Sequence, residues 1–236
     1  MVISPTVEKL LYFGMKPILD AFTAFRMRMD IAFEAPLPEG PIIIAPNHPS
    51  VTDPFLVSWM TGVKSHILIA DEVFKIPVFG RYLRASGHIP VVPGSGRAAF
   101  DEALAKLENG EPVMIFPEGE ISPLEGGFAR PHTGAARLAL LTGAPVVPMG
   151  IHLLRERIRV IRSAIDGQPV DQLWYLDGPY NMTVGEALRF TGSAEDRDLV
   201  RQATDRIMRD IMRLAYQSAL RLQQQLQPAF YAVGGD

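Results

Sequence analysis

The sequence predicts an α/β domain, a largely parallel central sheet flanked by helices, preceded by an N-terminal amphipathic helical arm. Three observations lead there. Short β-branched runs are bounded by proline or glycine, helical patterns alternate with them, and residues 1–30 are crowded with aromatic and methionine side chains. With 236 residues, 47% hydrophobic and 21% charged, the chain can bury one sizeable core, and disorder is not expected.

In the arm, Leu11, Met15, Ile18, Phe22 and Phe25 fall at helical spacing, with Tyr12, Phe13, Met27 and Met29 among them. Pro17 predicts a kink or two short helices. Charged residues threaded through the segment argue against a bilayer crossing. The arm, taken as residues 1–34, reads as lying in a membrane interface, with packing on the domain's own core as the competing reading. The longest uncharged stretch, between Arg137 and Arg155, is broken by Gly143, Pro145, Pro148 and Gly150. No secretory leader is visible at Met1–Glu8.

The domain proper is expected over 35–225, with a tail at 226–236. Pro41–Pro46 reads as the first strand, Ser65–Ala70 as the second, Ile89–Val92 as the third, Pro112–Phe116 as the fourth and Pro145–Ile151 as the fifth. Helices are expected over Pro54–Met60, over Arg97–Leu107 with Gly110 as its stop, and over Gly134–Leu141 ended by Gly143. Arg157–Ile161 and Tyr180–Val184 are candidate further strands. Arg155, Arg157 and Arg159 would then share one strand face, open to anionic lipid or coenzyme A phosphates, or simply solvated as edge protection. Ser193–Asp196 resembles a capping box opening a long helix through Leu199, Ala203, Ile207, Ile211, Leu214 and Ala215. A parallel sheet binds ligands at the carboxyl ends of its strands, so the loops after Ile44, Val92, Phe116 and Ile151 are the places for chemistry.

Composition excludes several classes. A net charge of -3 argues against a general nucleic-acid binder. The absence of cysteine removes disulfides, thiolate metal sites and a Cys nucleophile. No Gly-x-Ser-x-Gly elbow occurs, which argues against a serine hydrolase.

Two loops carry candidate chemistry. The first strand runs into Asn47-His48-Pro49-Ser50-Val51-Thr52-Asp53-Pro54. An Asp carboxylate accepting from one imidazole nitrogen fixes the tautomer and leaves the other nitrogen as a base. Five residues is the wrong interval for one helix face, so the segment must turn. Asp53 before Pro54 can equally be a helix cap, and His48 can simply bond a carbonyl. The fourth strand ends in Phe116-Pro117-Glu118-Gly119-Glu120-Ile121-Ser122, where Gly119 allows close backbone approach. An acidic turn with no ligand is the plain alternative.

The combination of Asn-His-x-x-x-x-Asp with Phe-Pro-Glu-Gly, in this order and each after a strand, resembles the glycerolipid acyltransferase family, which includes the lysophosphatidate and glycerol-3-phosphate acyltransferases. Lys75-Ile76-Pro77-Val78-Phe79-Gly80 with Gly87-His88-Ile89 is similar to that family's second block, and Ala144–Pro148 to its fourth. The resemblance spans roughly residues 41–152. It implies that His48 deprotonates an acceptor hydroxyl that attacks an acyl thioester directly, with Asp53 orienting the imidazole. Phe116, Pro117, Glu118, Gly119 and Ser122 would belong to the acceptor-binding block, the Gly119 N–H serving the oxyanion. It further implies no metal and no cofactor, acyl-coenzyme A (acyl-CoA) or acyl carrier protein (ACP) as co-substrate and partner, and a peripheral membrane location on the cytoplasmic face.

The departures are specific. The family continues with Thr-Arg-Ser where this chain has Glu120-Ile121-Ser122. An Asp-Arg pair is expected where Val92-Pro93 stand, and a basic residue just before Gly134. Arg97, Arg130 and His132 are candidate replacements for the phosphate-binding cations. The expected acceptor is 1-acylglycerol-3-phosphate in phospholipid biosynthesis. The alternatives are a lipid acceptor without phosphate, a thioesterase, or a catalytically silent lipid- or carrier-binding protein.

Overall fold

The computed structural model describes residues 21–165 and 168–227. The main strands are β1 (Met29–Phe33), β2 (Ile43–Pro46), β3 (His66–Ala70), β4 (Ile89–Val91), β5 (Val113–Met114), β6 (Val146–Leu153) and β9 (Tyr180–Val184). They form one sheet in the order β1-β9-β6-β2-β5-β3-β4. All neighbours run parallel except β6 and β9. β7 (Arg159–Ile165) and β8 (Gln168–Trp174) make a separate antiparallel hairpin. The helices are α1 (Asp53–Thr61), α2 (Phe79–Ala85), α3 (Gly96–Glu108), α4 (Gly134–Thr142) and α5 (Arg197–Leu226). This is the α/β architecture that the alternating pattern predicts.

The short apolar strands are buried on both faces, which a parallel sheet requires. Alternation along β2 sends Ile43 and Ala45 into a core shared with α3, α4 and α5. Ile42 and Ile44 go to the other face, with Leu56 and Val57 of α1, Phe116, Tyr175 and Tyr180. α5 lies almost in contact with the sheet backbone. A methyl group on Gly150 of β6 would meet the Ala215 nitrogen at 1.9 Å. Only glycine permits that approach, and the Ser218 hydroxyl, which donates to the Gly150 carbonyl at 2.8 Å, seals it.

Several expectations are corrected. The helical reading of the arm lies outside the described residues as far as residue 20. Beyond that it does not reach Met29: a short π-helical turn at Thr23–Met27 ends at Arg28 in a left-handed conformation, and β1 follows. Met29–Phe33 takes its backbone partners from β9, and the Arg221 guanidinium on Asp30 at 2.7 Å holds the strand to α5. Long-range pairing outweighs the local helical pattern here. The arginine cluster does not share a strand face. Arg155–Arg157 is a 3-10 turn, and only Arg159 begins β7. The helix cap is Asp196 rather than Ser193: its carboxylate accepts the Asp198 and Leu199 N–H groups at 3.0 and 3.1 Å. The fourth strand is only Val113–Met114, and α2, unread in the sequence, follows the Ile76–Val78 loop. α5 continues to Leu226, into the expected tail, most of which lies outside the described residues.

At the amino-terminal edge of the sheet, the His88 Nδ1 accepts the Ile67 N–H at 3.2 Å, so its proton sits on Nε2. Burial, with the charges of His66 and Lys64, lowers its pKa from 6.5 to about 4. Between those values the unfolded chain binds a proton that the fold refuses. Stability therefore falls as pH drops through that window, by about 3 kcal/mol. Urea midpoints measured from neutral pH down to 4 should show this slope, and His88→Asn, whose side-chain oxygen can still accept the Ile67 N–H, should remove most of it. An equal slope in the variant would assign the acid sensitivity elsewhere.

Candidate active site

The site begins where β2 runs out at Pro46. Asn47 locks β2 to β6: its amide donates to the Ile151 carbonyl at 3.0 Å and accepts the Ile151 N–H at 2.7 Å. The chain then turns, and the His48 Nδ1 lies 3.1 Å from the Asp53 carboxylate. Asp53 is the first residue of α1 and fully buried. The turn through Ser50 makes the five-residue spacing work, because the Ser50 N–H donates to the same carboxylate oxygen at 2.7 Å. The other oxygen accepts the Tyr180 hydroxyl at 3.0 Å. Burial pushes the Asp53 carboxyl upward, while the bonds from His48, Ser50 and Tyr180 pull it down. Burial, with the neighbouring Asp53 charge, holds the Tyr180 hydroxyl well above the ordinary phenol range, so Tyr180 stays a donor. A carboxylate on Nδ1 places the imidazole proton there and leaves Nε2 as the basic nitrogen. The ring itself is only 16% exposed and stacks on Phe116 at 4.0 Å between centroids.

The Phe116–Ser122 loop does different work from that expected. Glu118 is completely buried. One oxygen accepts the His48 N–H at 3.0 Å and the Ser122 hydroxyl at 2.8 Å, and the other accepts the Ala129 N–H at 2.6 Å. The Ser122 N–H returns a bond to the His48 carbonyl at 2.8 Å. Glu118, Ser122 and Phe116 thus brace His48. The Gly119 N–H, expected at the oxyanion, donates to the Phe116 carbonyl at 3.0 Å. Gly119 has φ +69, and a Cβ there would meet the His132 ring at 2.6 Å, so His132 does lie against this loop. The Pro117 carbonyl accepts the His132 N–H at 2.8 Å.

Arg97 is not drawn into this group: it is exposed, and its Nε–H is shared between the two Asp101 oxygens one turn along α3, at 2.8 and 2.9 Å. Arg130 is exposed between the loop and α4. Beside the His48 segment is a cavity of about 290 Å³ lined by Asn47, Pro49, Phe128, Ile151, His152 and Arg155, among others. Arg155 is held there by bonds to the Pro123 and Leu124 carbonyls at 2.6 and 2.9 Å. Sequence reasoning missed Ser50 and Tyr180 as partners of Asp53. Nothing local signals Tyr180, which stands 127 residues away.

Glu118→Gln tests the bracing role. Its amide group would face a backbone N–H that now meets a carboxylate. The expected loss is about 2 kcal/mol of stability, read from denaturant midpoints, with faster amide exchange at His48 and Ala129. A variant with native stability and native exchange at both amides would dismiss the brace.

Comparison with known proteins gives the family and the fold. The Acyltransferase family model matches residues 28–152. An N-acylphosphatidylethanolamine synthase from Arabidopsis thaliana is 28% identical over 130 residues, 50% of this chain and 45% of that protein. A 1-acyl-sn-glycerol-3-phosphate acyltransferase from Cocos nucifera is 30% identical over 114 residues, 45% of this chain and 37% of that protein. The match spans less than half the length of either relative. In fold, the crystal structure of the 1-acyl-sn-glycerophosphate acyltransferase PlsC from Thermotoga maritima is similar, with a TM-score of 0.61 at 22% identity, covering 91% of this chain and 83% of that one. The family match, over more than half of the chain and taking in the His48–Asp53 turn and the Glu118 brace, identifies the chain as a member of the glycerolipid acyltransferase family.

Proposed function

We propose that the protein transfers a fatty acyl group from an acyl thioester, acyl-CoA or acyl-ACP, to a lipid hydroxyl. The observation that carries this is the His48 imidazole, its Nδ1 held on a buried carboxylate and its Nε2 left as a base. In the reaction, Nε2 takes the acceptor hydroxyl's proton as the oxygen attacks the thioester carbonyl. The tetrahedral intermediate collapses, the C–S bond breaks, and the same proton passes to the leaving thiolate. Asp53 stabilises the imidazolium between these steps. His48 and Asp53 are the proposed catalytic pair, with Phe116, Glu118 and Ser122 positioning the base.

For the acceptor, 1-acylglycerol-3-phosphate is the first reading, supported by the family and by the activity named for the Cocos nucifera relative. A neutral or zwitterionic lipid is the second reading. The observation in its favour is the Arg97 guanidinium, already engaged by Asp101, with the exposed carboxylate of Glu120 beside Gly119. The activity named for the Arabidopsis thaliana relative adds phosphatidylethanolamine to the panel, where the acylated group would be an amine rather than a hydroxyl. Among the described residues, no helix is long and apolar enough to cross a membrane. We place the protein peripherally, at the cytoplasmic face, where lipid acceptor and thioester donor meet.

Thiol release from palmitoyl-coenzyme A, and from the acylated carrier protein, should depend on one acceptor lipid from such a panel. His48→Ala should lower kcat/KM for it by about 10³-fold. Acceptor-independent release would make the protein a thioesterase, and no release with either donor would make it a silent binder.

Asp53→Asn separates chemistry from folding. Because burial raises the folded pKa of Asp53 above its ordinary 3.8, folding favours the neutral acid. That stability is present below about pH 4 and is lost as pH rises through the folded pKa. Above that folded pKa the buried ionised carboxylate is a strain that Asn removes. The variant should therefore keep or raise its Tm while kcat falls by about 10³ to 10⁴. A parallel fall in Tm and kcat would reduce Asp53 to a structural cap.

A further inference from the structure

Beside the site lies an apolar surface that the reaction does not use. β3 ends at the same edge of the sheet as β2, passes through a 3-10 turn at Asp71–Lys75 and reaches the loop Ile76-Pro77-Val78 before α2. Val78 is 68% exposed, Ile76 49%, and Phe55 and Tyr82 each 38%. The Phe55 ring, two residues past Asp53, sits 5.7 Å from Phe79, which in turn stacks 6.3 Å from Tyr82. The patch is thus contiguous with the helix that carries Asp53.

The tip is strained. Val78 has φ 67 and ψ −55, a γ-turn of the rarer hand closed by the Phe79 N–H on the Pro77 carbonyl at 2.8 Å. A β-branched residue disfavours positive φ, and an exposed valine gains no burial to offset it. The surroundings nonetheless hold it rigidly. A methyl on Gly80 would meet the Phe74 carbonyl oxygen at 1.9 Å, so α2 is seated directly on the 3-10 turn. Arg84 donates to that same carbonyl at 2.9 Å and lies 5.4 Å over the Phe74 ring. A rigid, strained loop that lifts an apolar side chain into water is built to put it into something else. Across residues 71–84, Lys75 pairs with Asp71 at 3.5 Å, while Arg81 and Arg84 are exposed and outnumber the remaining acid, Glu72.

We propose that the Ile76–Val78 loop, with Phe55 and Tyr82, is a membrane-docking wedge that inserts into the interface of an anionic phospholipid bilayer. Apolar side chains enter the headgroup boundary while the neighbouring cations meet anionic headgroups. The wedge would seat the carboxyl edge of the sheet against the bilayer, beside His48. Its purpose rests on the reading that the acceptor is a lipid, but its existence is tested without any turnover.

The chain has no cysteine, so Val78→Cys carries a single environment-sensitive fluorophore. Full-length protein is mixed with phosphatidylcholine vesicles, with and without phosphatidylglycerol. The emission should shift to the blue on the anionic vesicles, while a fluorophore at Asp205→Cys on the exposed side of α5 should not respond. Because the probe reports its own position, it reads the wedge even if the expected N-terminal arm also holds vesicles. Val78→Gly gives the second arm: relief of positive φ should raise Tm by a few degrees, while vesicle partitioning falls about tenfold. The proposal is overturned by any of three results: no vesicle binding by the wild type, pelleting with no shift from the fluorophore on the loop, or a shift produced by acyl carrier protein and not by vesicles. If the probe shifts but His48→Ala leaves transfer unchanged, the wedge stands and the catalytic reading falls.

Discussion

The candidate site depends above all on placing a carboxylate where water cannot reach it. Asp53 is fully buried, and such a charge is tolerated only when donors surround it. Its three donors come from two distant parts of the chain: His48 and Ser50 from the turn after β2, and Tyr180 from β9. The last is the costly one to arrange, because β9 must lie close enough to α1 for a phenol to reach. The antiparallel pairing of β9 with β6, and the packing of α1 against that face of the sheet, supply the arrangement. The one reversal of strand direction in the main sheet therefore has a chemical consequence. It brings the start of β9, with Tyr180, to the edge where β2 ends.

The opposite face secures the same edge by a different means. α5 crosses β6 at Gly150 with no room for a side chain, and β2 is hydrogen-bonded to β6 along its length and again through Asn47. A helix in contact with backbone cannot slide without breaking the Ser218 bond to the Gly150 carbonyl. Rigidity at the base of the His48 turn is thus set by a glycine some distance from the reacting atoms. Interiors packed at this density transmit small displacements rather than absorb them.

Much of this was legible in the sequence, for identifiable reasons. β2, β3, α3 and α4 are bounded by proline, glycine and periodic apolar residues, all of them local signals, and the structure follows them to within a residue or two. β1 was not legible, because Met29–Phe33 is a strand only through its pairing with β9, far along the chain. α2 is short and follows a strained turn that no propensity describes. At the site, His48 and Asp53 were legible as a pair because both lie on one loop. The work of Glu118 was not, since a glycine-flanked acid after a strand looks the same whether it faces a ligand or is sealed beneath a backbone N–H. Only its burial and its three donors distinguish the two.

Two buried carboxylates stand on either side of one histidine. Asp53 faces the imidazole, while Glu118 accepts the backbone N–H of the same residue. The donors to Glu118 are two backbone N–H groups and a hydroxyl, so its bonds fix the backbone of the His48 turn. In the proposed reaction, positive charge develops on the His48 ring beside Asp53 as the acceptor proton arrives. The Asp53 carboxylate already faces the ring and need not reorganise as the imidazolium forms. A site that carries its negative charge before the positive charge appears has met the electrostatic cost during folding rather than during turnover, which is how preorganised dipoles and charges lower a barrier.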